Sequence, residues 1–489
     1  MGSSMRSATL ALSLILAGAL LGAAAPAAGA AHTGAPRLVR LTANPTLYPA
    51  YSPAVHDYVV RCDPATPVRI ATWAAAGTVP FIDGTRGARA SVTLKEGQEA
   101  VVEGRSAAGT ADYHIRCLPA DFPTWTETRA AATDKWYLVT PSLSLGKTRA
   151  DYVAIFDRNG VPVWWYKADG PPLDAKLLPG RTIAFSTFLA SAPAYQVRNF
   201  DGTLVRRIVS PDAAIDDHEL QRMPNGDYVY LVYDPKQHVD LTPYGGPADG
   251  TVLEGRIEEV SPTGKLVWSW STDGHVDPTE SARWYQTIMS APVTLGGQQT
   301  YDFFHANALS LGKDEVLLSL RQTDGIYAID RATGNILWKL GGTQTPESLT
   351  VVGDPYGNLP LGGQHDVRLQ PDGTVTVFDD GTFLDRPPRA VHYAIDPVAR
   401  TATFLGQITD PAVTNSVCCG SARHLVDGDW LISWGGDPVV GEYTADGTPV
   451  FTWTFGDSLF SYRAVAVKHS KLGIKELRAG MDAMAAGTG

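Results

Sequence analysis

Short runs rich in Val, Ile, Tyr and Trp alternate with polar turns along almost the whole chain, and the turns carry Gly, Pro, Asn-Gly or Asp-Gly. Runs of that length between such turns are the mark of strands, so the pattern predicts an all-β protein. Residues 37–118 read as a small β-sandwich, with strands near Val68–Trp73, Ala90–Leu94, Ala100–Gly104 and Asp112–Cys117. A linker is expected around Pro119–Lys135. Helical periodicity is weak and confined to the end. There the Ala/Gly/Lys-rich residues 467–489 read as a short helix or a disordered tail.

Between 136 and 466 two elements recur. The first is a polar turn with Gly ahead of an aromatic or aliphatic strand. It stands at Asp157–Gly160 before Trp164, Asp201-Gly202 before Ile208, Ser261–Gly264 before Trp268 and Asp330–Gly334 before Trp338. A weaker form precedes Phe404, and the last, Asp446-Gly447, precedes Trp453. The second is a Leu-rich strand running into a Gly turn, ending at Gly180, Gly226, Gly312, Gly373 and Gly428. Copies of 40–70 residues fit four-stranded blades that must stack and close on one another to bury their faces. The expectation is a six-bladed β-propeller preceded by the sandwich; five or seven blades also fit. The recurring Trp residues read as packing.

At the other end, Arg6 is followed by an apolar run from Ala8 to Ala24 and by Ala28-Gly29-Ala30. That order is expected of a signal peptide over residues 1–30, cleaved to give a secreted protein; a single membrane anchor is the alternative, though the run is short for one. No later segment is apolar enough to insert into a membrane. The formal net charge of −11 and the lack of a basic run exclude nucleic acid as a partner. An acidic protein still binds a small anion if its cations gather in one pocket.

Four cysteines are present. Tyr58–Cys62 and Tyr113–Cys117 are similar strand-like segments, so in an exported chain a Cys62–Cys117 disulfide is expected. Cys418 and Cys419 are adjacent and read either as small buried residues or as a strained vicinal disulfide.

Three histidines share a phase. His218 and His365 each lie eight residues before the repeat glycine, and His305 lies seven before it. Equivalent positions in successive blades converge at one end of a central channel. His424 lies four residues later than that phase and reads as structural. Three converging imidazoles fit zinc, but Asn307 and Arg321 close by argue for an anion, because a guanidinium repels a dication and forks onto an oxyanion. No metal and no cofactor are expected.

The ordered motifs Asp216-Asp217-His218-Glu219-Leu220, Phe304-His305-Ala306-Asn307-Ala308 and Ser319-Leu320-Arg321-Gln322-Thr323 carry a resemblance. They continue through Trp338–Gly342, Gln364-His365-Asp366, Phe378-Asp379-Asp380-Gly381 and Ser461-Tyr462-Arg463. From about Trp136 to Ala466 the chain resembles the bacterial arylsulfotransferases that work without a nucleotide sulfate donor. The resemblance implies transfer of sulfuryl from an aromatic sulfate ester to a phenol through a sulfated histidine. By motif, His365 matches the nucleophile, and His218, His305, Asn307 and Arg321 match residues around the sulfate. The resemblance implies that His218 or His305 acts as general acid and base. Asp366, next on the strand, is expected to face away from His365. Ser421 is the candidate for the family's last-blade hydroxyl, and Tyr301, Phe303, Phe304 and Trp284 are candidates for an aryl pocket. The Leu47–Tyr58 stretch resembles the opening of cadherin-like sandwich modules.

Two other readings stand beside this one. Ala328–Trp338 and the paired cysteines also resemble quinone-dependent dehydrogenase propellers. A secreted propeller that binds a surface ligand without catalysis is the other.

Overall fold

A computed structural model describes residues 35–145, 148–188 and 190–487; the expected signal peptide lies outside them. The chain is all-β, with short helical segments and one longer helix, Ile474–Gly487. No helix among the described residues is long and apolar enough to cross a membrane.

The first strands make two sheets around one core. Leu38–Asn44, Val68–Ala74 and Arg89–Val92 form one, and Asp57–Arg61, Gly109–Leu118, Glu99–Ser106, Val79–Ile82 and Thr85–Arg86 the other. Alternate side chains such as Val68 and Ile70 turn inward to meet Val102, Tyr113 and Ile115, as the two-residue period of a half-buried strand dictates. Asp57–Arg61 runs parallel to Gly109–Leu118 with Val60 opposite Cys117, which sets Cys62 beside Cys117 with Cα atoms 5.5 Å apart and the disulfide formed.

Besides a two-stranded hairpin of Val293–Leu295 and Gln298–Thr300, six larger sheets follow. Each is an antiparallel meander of four strands, and two gain a fifth. Their innermost strands are Phe460–Lys468, Pro172–Leu178, Ala214–Arg222, Ala306–Leu311, His365–Leu369 and Ser421–His424. Each packs on the next, and Ser421–His424 returns to Phe460–Lys468, so the cycle closes. Closure comes from the end of the chain: Phe460–Lys468 pairs with Lys135–Leu143 and completes the sheet begun more than three hundred residues earlier. Leu, Ile, Val and aromatic side chains fill the space between neighbouring sheets, with Trp164 and Trp453 fully buried.

The two repeated turns join the first to the second strand and the third to the fourth. Gly180, Gly226, Gly373 and Gly428 in the former take φ of 89°, 97°, 82° and 93°, a region open to glycine at little cost. Both turns lie at the end of the cycle away from the starts of the innermost strands.

One segment differs from expectation, and a second takes one of the two forms expected of it. Within the supposed linker, Trp125–Arg129 is a strand that pairs with Pro449–Phe455 at the edge of the last sheet. The C-terminal helix is ordered and structural. Leu477 and Met481, with Ile474 and Met484 beside them, pack against the first sheet of the cycle, while Arg478 forks onto Asp57 of the N-terminal unit with both contacts at 2.8 Å. Two of the four buried positions are Gly480 and Ala485, too small to give the face a strong helical signature in the sequence.

Candidate functional site

The three in-phase histidines belong to three successive innermost strands. His365 opens His365–Leu369, His305 immediately precedes Ala306–Leu311, and His218 lies in the middle of Ala214–Arg222, where the pairing is irregular between Ile215 and Leu220. The rings of His218 and His305 meet edge to face with centroids 5.0 Å apart, and Tyr462 lies 5.8 Å from His218.

Each imidazole has its own carboxylate at Nδ1. Asp216 holds His218 and also accepts its backbone N–H at 2.9 Å. Asp302 accepts from His305 Nδ1 at 2.6 Å and from its backbone N–H at 2.8 Å. Asp380 Oδ2 lies 2.8 Å from His365 Nδ1, and the Gly363 carbonyl 3.0 Å from the same atom. Ser416 Oγ donates to the other Asp380 oxygen at 2.5 Å. The backbone N–H of Cys419 points at His365 Nε2 at 3.1 Å. That donor requires a lone pair on Nε2, so the proton of His365 sits on Nδ1 and is donated to Asp380 and Gly363.

Charge separates the three rings. His365, 1% exposed, has its pKa held well below the ordinary value, first by burial and then by the charges of Arg321, His305 and His218. Burial alone would also lower His218, but the Asp216 carboxylate outweighs it and the pKa stands above the ordinary value. Asp302 is raised by burial, yet the contact with His305 brings its carboxyl below the usual range. Burial pushes the Asp380 carboxyl up, and the Ser416 hydroxyl draws it back. One imidazole is thus kept neutral beside another that favours its proton.

Arg321 follows the second strand of the fourth sheet. Its Nη2 donates to the Val417 carbonyl at 2.7 Å and its guanidinium lies 4.4 Å from the centre of the Trp284 ring, while its buried Nε has no partner. Asn307 is fully buried and donates at 2.7 Å to the carbonyl of Gln364, the residue before His365; its Oδ1 is unpaired. Trp284 is fixed by its own N–H on Asp324 at 3.2 Å. Buried polar atoms without partners are uncommon and costly unless a ligand completes them. Among the described residues no three His, Cys, Asp or Glu are grouped as a metal would need.

The remaining sequence candidates are dispersed. Ser421 is buried in strand pairing and accepts the Ala464 N–H at 3.0 Å; the hydroxyl beside His365 and Asp380 is that of Ser416, five residues earlier. Tyr301, Phe303 and Phe304 pack into the core of the third and fourth sheets. His424 stacks with His392 and Trp430. Cys418 and Cys419 have their sulfurs 2.7 Å apart as thiols.

Beside the histidines lies a buried ionic network that sequence reading did not find. Glu219 and Asp366, each following a histidine, join Asp174, Lys176, Arg368, Arg423 and Arg463. Arg463 reaches Asp174 at 2.5 Å, Glu219 at 2.8 Å and the Asn307 carbonyl at 2.9 Å. Four cations face three carboxylates, and Arg423 is drawn down to about 10, first by burial and then by Arg368. The network's cations are paired with its own carboxylates, whereas Arg321, near the histidines, keeps a buried N–H unpaired.

The site is thus a buried, neutral histidine whose Nε2 accepts only the Cys419 N–H, with a guanidinium nearby that has one unpaired N–H. The profile of the arylsulfotransferase (ASST) family matches residues 191–456, more than half of the chain. The chain belongs to that family, which sets aryl sulfotransfer as its activity in general terms. No curated protein matches it. Among solved structures, a protein of unknown function from Bacteroides caccae is 14% identical, with 69% of this chain and 100% of that one covered and a TM-score of 0.41. A putative 6-phosphogluconolactonase from Bacteroides uniformis is 13% identical, with coverages of 68% and 100% and a TM-score of 0.39. Virginiamycin B lyase from Staphylococcus aureus is 12% identical, with coverages of 68% and 88% and a TM-score of 0.35.

Proposed function

We propose that the protein is a secreted, six-bladed propeller sulfotransferase, carrying an N-terminal cadherin-like sandwich, that moves a sulfuryl group from an aryl sulfate to a phenol through a sulfated His365, without a nucleotide donor. The observation that carries this reading is a histidine held neutral, with its lone pair on Nε2, beside a guanidinium whose Nε–H has no protein partner. A neutral imidazole is a competent nucleophile, and the unpaired donor suits an equatorial sulfuryl oxygen.

In the first step Nε2 leaves the Cys419 N–H and attacks sulfur as the bond to the aryl oxygen breaks. The departing phenolate takes a proton from His218, whose pKa lies above the ordinary value, and leaves as phenol. The sulfated ring is cationic at that moment, and Asp380 at Nδ1 stabilises it, as a carboxylate does for a catalytic imidazolium. Arg321 and the freed Cys419 N–H stabilise the sulfuryl oxygens, and Asn307, through the Gln364 carbonyl, positions the strand that carries His365. In the second step a new phenol gives its proton to His218, its oxygen attacks sulfur, and the bond to Nε2 breaks. Positioning and charge do most of the work, as in phosphoryl transfer.

Purified protein should release about one p-nitrophenol per chain from p-nitrophenyl sulfate alone, and should turn over continuously only when a phenol acceptor is supplied. Intact mass after incubation with donor alone should show one added sulfuryl group, lost on adding phenol. His365→Ala should abolish both; transfer that survived it would remove His365 as the nucleophile.

A further inference from the structure

The turn after Asp380 is fastened on every side. Thr382 donates its N–H to the Gly362 carbonyl at 3.0 Å, and its own carbonyl accepts from Arg283 at 2.8 Å. Leu384 donates to Gly381 at 2.9 Å and lies so close to Gly362 that a Cβ there would come within 2.5 Å of it. Arg386 reaches Asp379 at 2.8 Å. Phe383 points outward, 69% exposed, the one large apolar side chain of the turn to do so, and its φ is 58°. A bulky side chain in the left-handed region is strained, and an exposed phenyl ring gains nothing from burial to offset it. Strain of this kind persists where the surroundings impose it and gathers at ligand sites.

The ring has a place in the site. Its centroid is 5.3 Å from that of Trp284, and Trp284 in turn carries the Arg321 guanidinium at 4.4 Å. Trp284 also borders Gly363, whose carbonyl holds His365. A row of contacts therefore runs from an exposed phenyl ring, through a buried indole, to a cation with an unpaired N–H. An aryl sulfate has the same order: an apolar ring, an ester oxygen and an anion. We infer that Phe383 is the specificity-determining residue for the aryl ring of the substrate, an inference that rests on the sulfotransfer reading above. The ring of the donor or acceptor stacks on Phe383 while the sulfuryl group sits against Arg321 and His365. Loss of an aromatic stack of this kind weakens binding about fivefold to tenfold.

Phe383→Asn removes the ring and leaves a residue that tolerates the left-handed backbone. Phe383→Tyr keeps the ring. In a His365→Ala background, where donor is not consumed, calorimetry would measure binding of p-nitrophenyl sulfate and, separately, of inorganic sulfate. The Kd for the aryl sulfate should rise about tenfold with Phe383→Asn and recover with Phe383→Tyr, while that for sulfate stays in place. An unmoved aryl sulfate Kd, a parallel loss of sulfate binding, or no aryl sulfate binding in any of these proteins would each overturn the role of Phe383. Turnover by the otherwise native chain separates the two readings. If that chain transfers sulfuryl and Phe383→Asn leaves the KM for p-nitrophenyl sulfate unaltered, the role of Phe383 falls and the activity stands. If it does not transfer, the sulfotransfer reading falls, and the calorimetry still decides whether Phe383 selects an aryl ring.

Discussion

At the scale of single residues, the reactivity proposed for His365 lies in which nitrogen carries the proton. Asp380 fixes that, and Asp380→Asn, by offering a donor as readily as an acceptor, should lower kcat by about 10²-fold or more while the fold persists, as an aspartate-to-asparagine change does at a catalytic triad. Near-native kcat would show that the Gly363 carbonyl alone fixes the tautomer. The two histidine pKa directions set a pH profile. His365, lowered, stays neutral well below pH 6.5, whereas His218, raised, keeps its proton into the range above it. The kcat/KM for phenyl sulfate should therefore hold a plateau across pH 6.5, falling on the acid side as His365 protonates and on the alkaline side as His218 loses its proton. The stability sign for His365 is separate. Its folded pKa is below the unfolded value of about 6.5, so its contribution is present above that pH and lost as pH falls from there. His218→Ala should cost roughly 10²–10⁴-fold with phenyl sulfate and far less with p-nitrophenyl sulfate, whose phenolate leaves without a proton. Equal losses with the two donors would transfer the acid role elsewhere.

The histidines were legible in the sequence because a repeat fixes phase. Their carboxylates were only half legible. Asp216 and Asp302 stand two and three residues ahead of their rings, a local signal open to a reader of the sequence. Asp380 reaches His365 only through the hairpin that pairs His365 with Phe378, and no spacing rule announces it.

At the scale of elements, the repeat was readable because its turns lie at the end away from the site, where nothing but hairpin geometry constrains them. The connections on the other end are irregular, and they supply Trp284, Asp380, Phe383 and Ser416. Function there has displaced the regular turn chemistry that makes a sequence readable. The strand Trp125–Arg129 was hidden for another reason. Its burial alternates between intermediate and exposed, and only the partner strand gives it a role. The C-terminal helix gives a direct measure of such tertiary rescue. Leu477 is fully buried against the first sheet, so Leu477→Ala should destabilise the protein by about 2–5 kcal/mol in urea unfolding. A change within about 0.5 kcal/mol would mean the helix only rests on the surface.

At the scale of the whole molecule, the ionic network ties together strands from five of the six sheets through Lys176, Glu219, Arg368, Arg423 and Arg463. Arg463 is its hub, and removing one partner of a buried set leaves the others uncompensated. Arg463→Met should cost about 3–5 kcal/mol in thermal or urea unfolding. A neutral effect would show that water or rearranged side chains take over its contacts. No spacing rule in the sequence pointed to this network, since its members come from five separate strands brought together only when the cycle closes.

That closure has an order in time. Phe460–Lys468 emerges from the ribosome after every other strand, and it brings Tyr462 against His218 and Arg463 against Asn307. Until it docks, the first sheet lacks its innermost strand and the pocket lacks one wall. A nascent or truncated chain that stops short of Phe460 therefore carries all three histidines and Arg321 yet has no assembled site, so chemistry begins only once synthesis has passed the last strand.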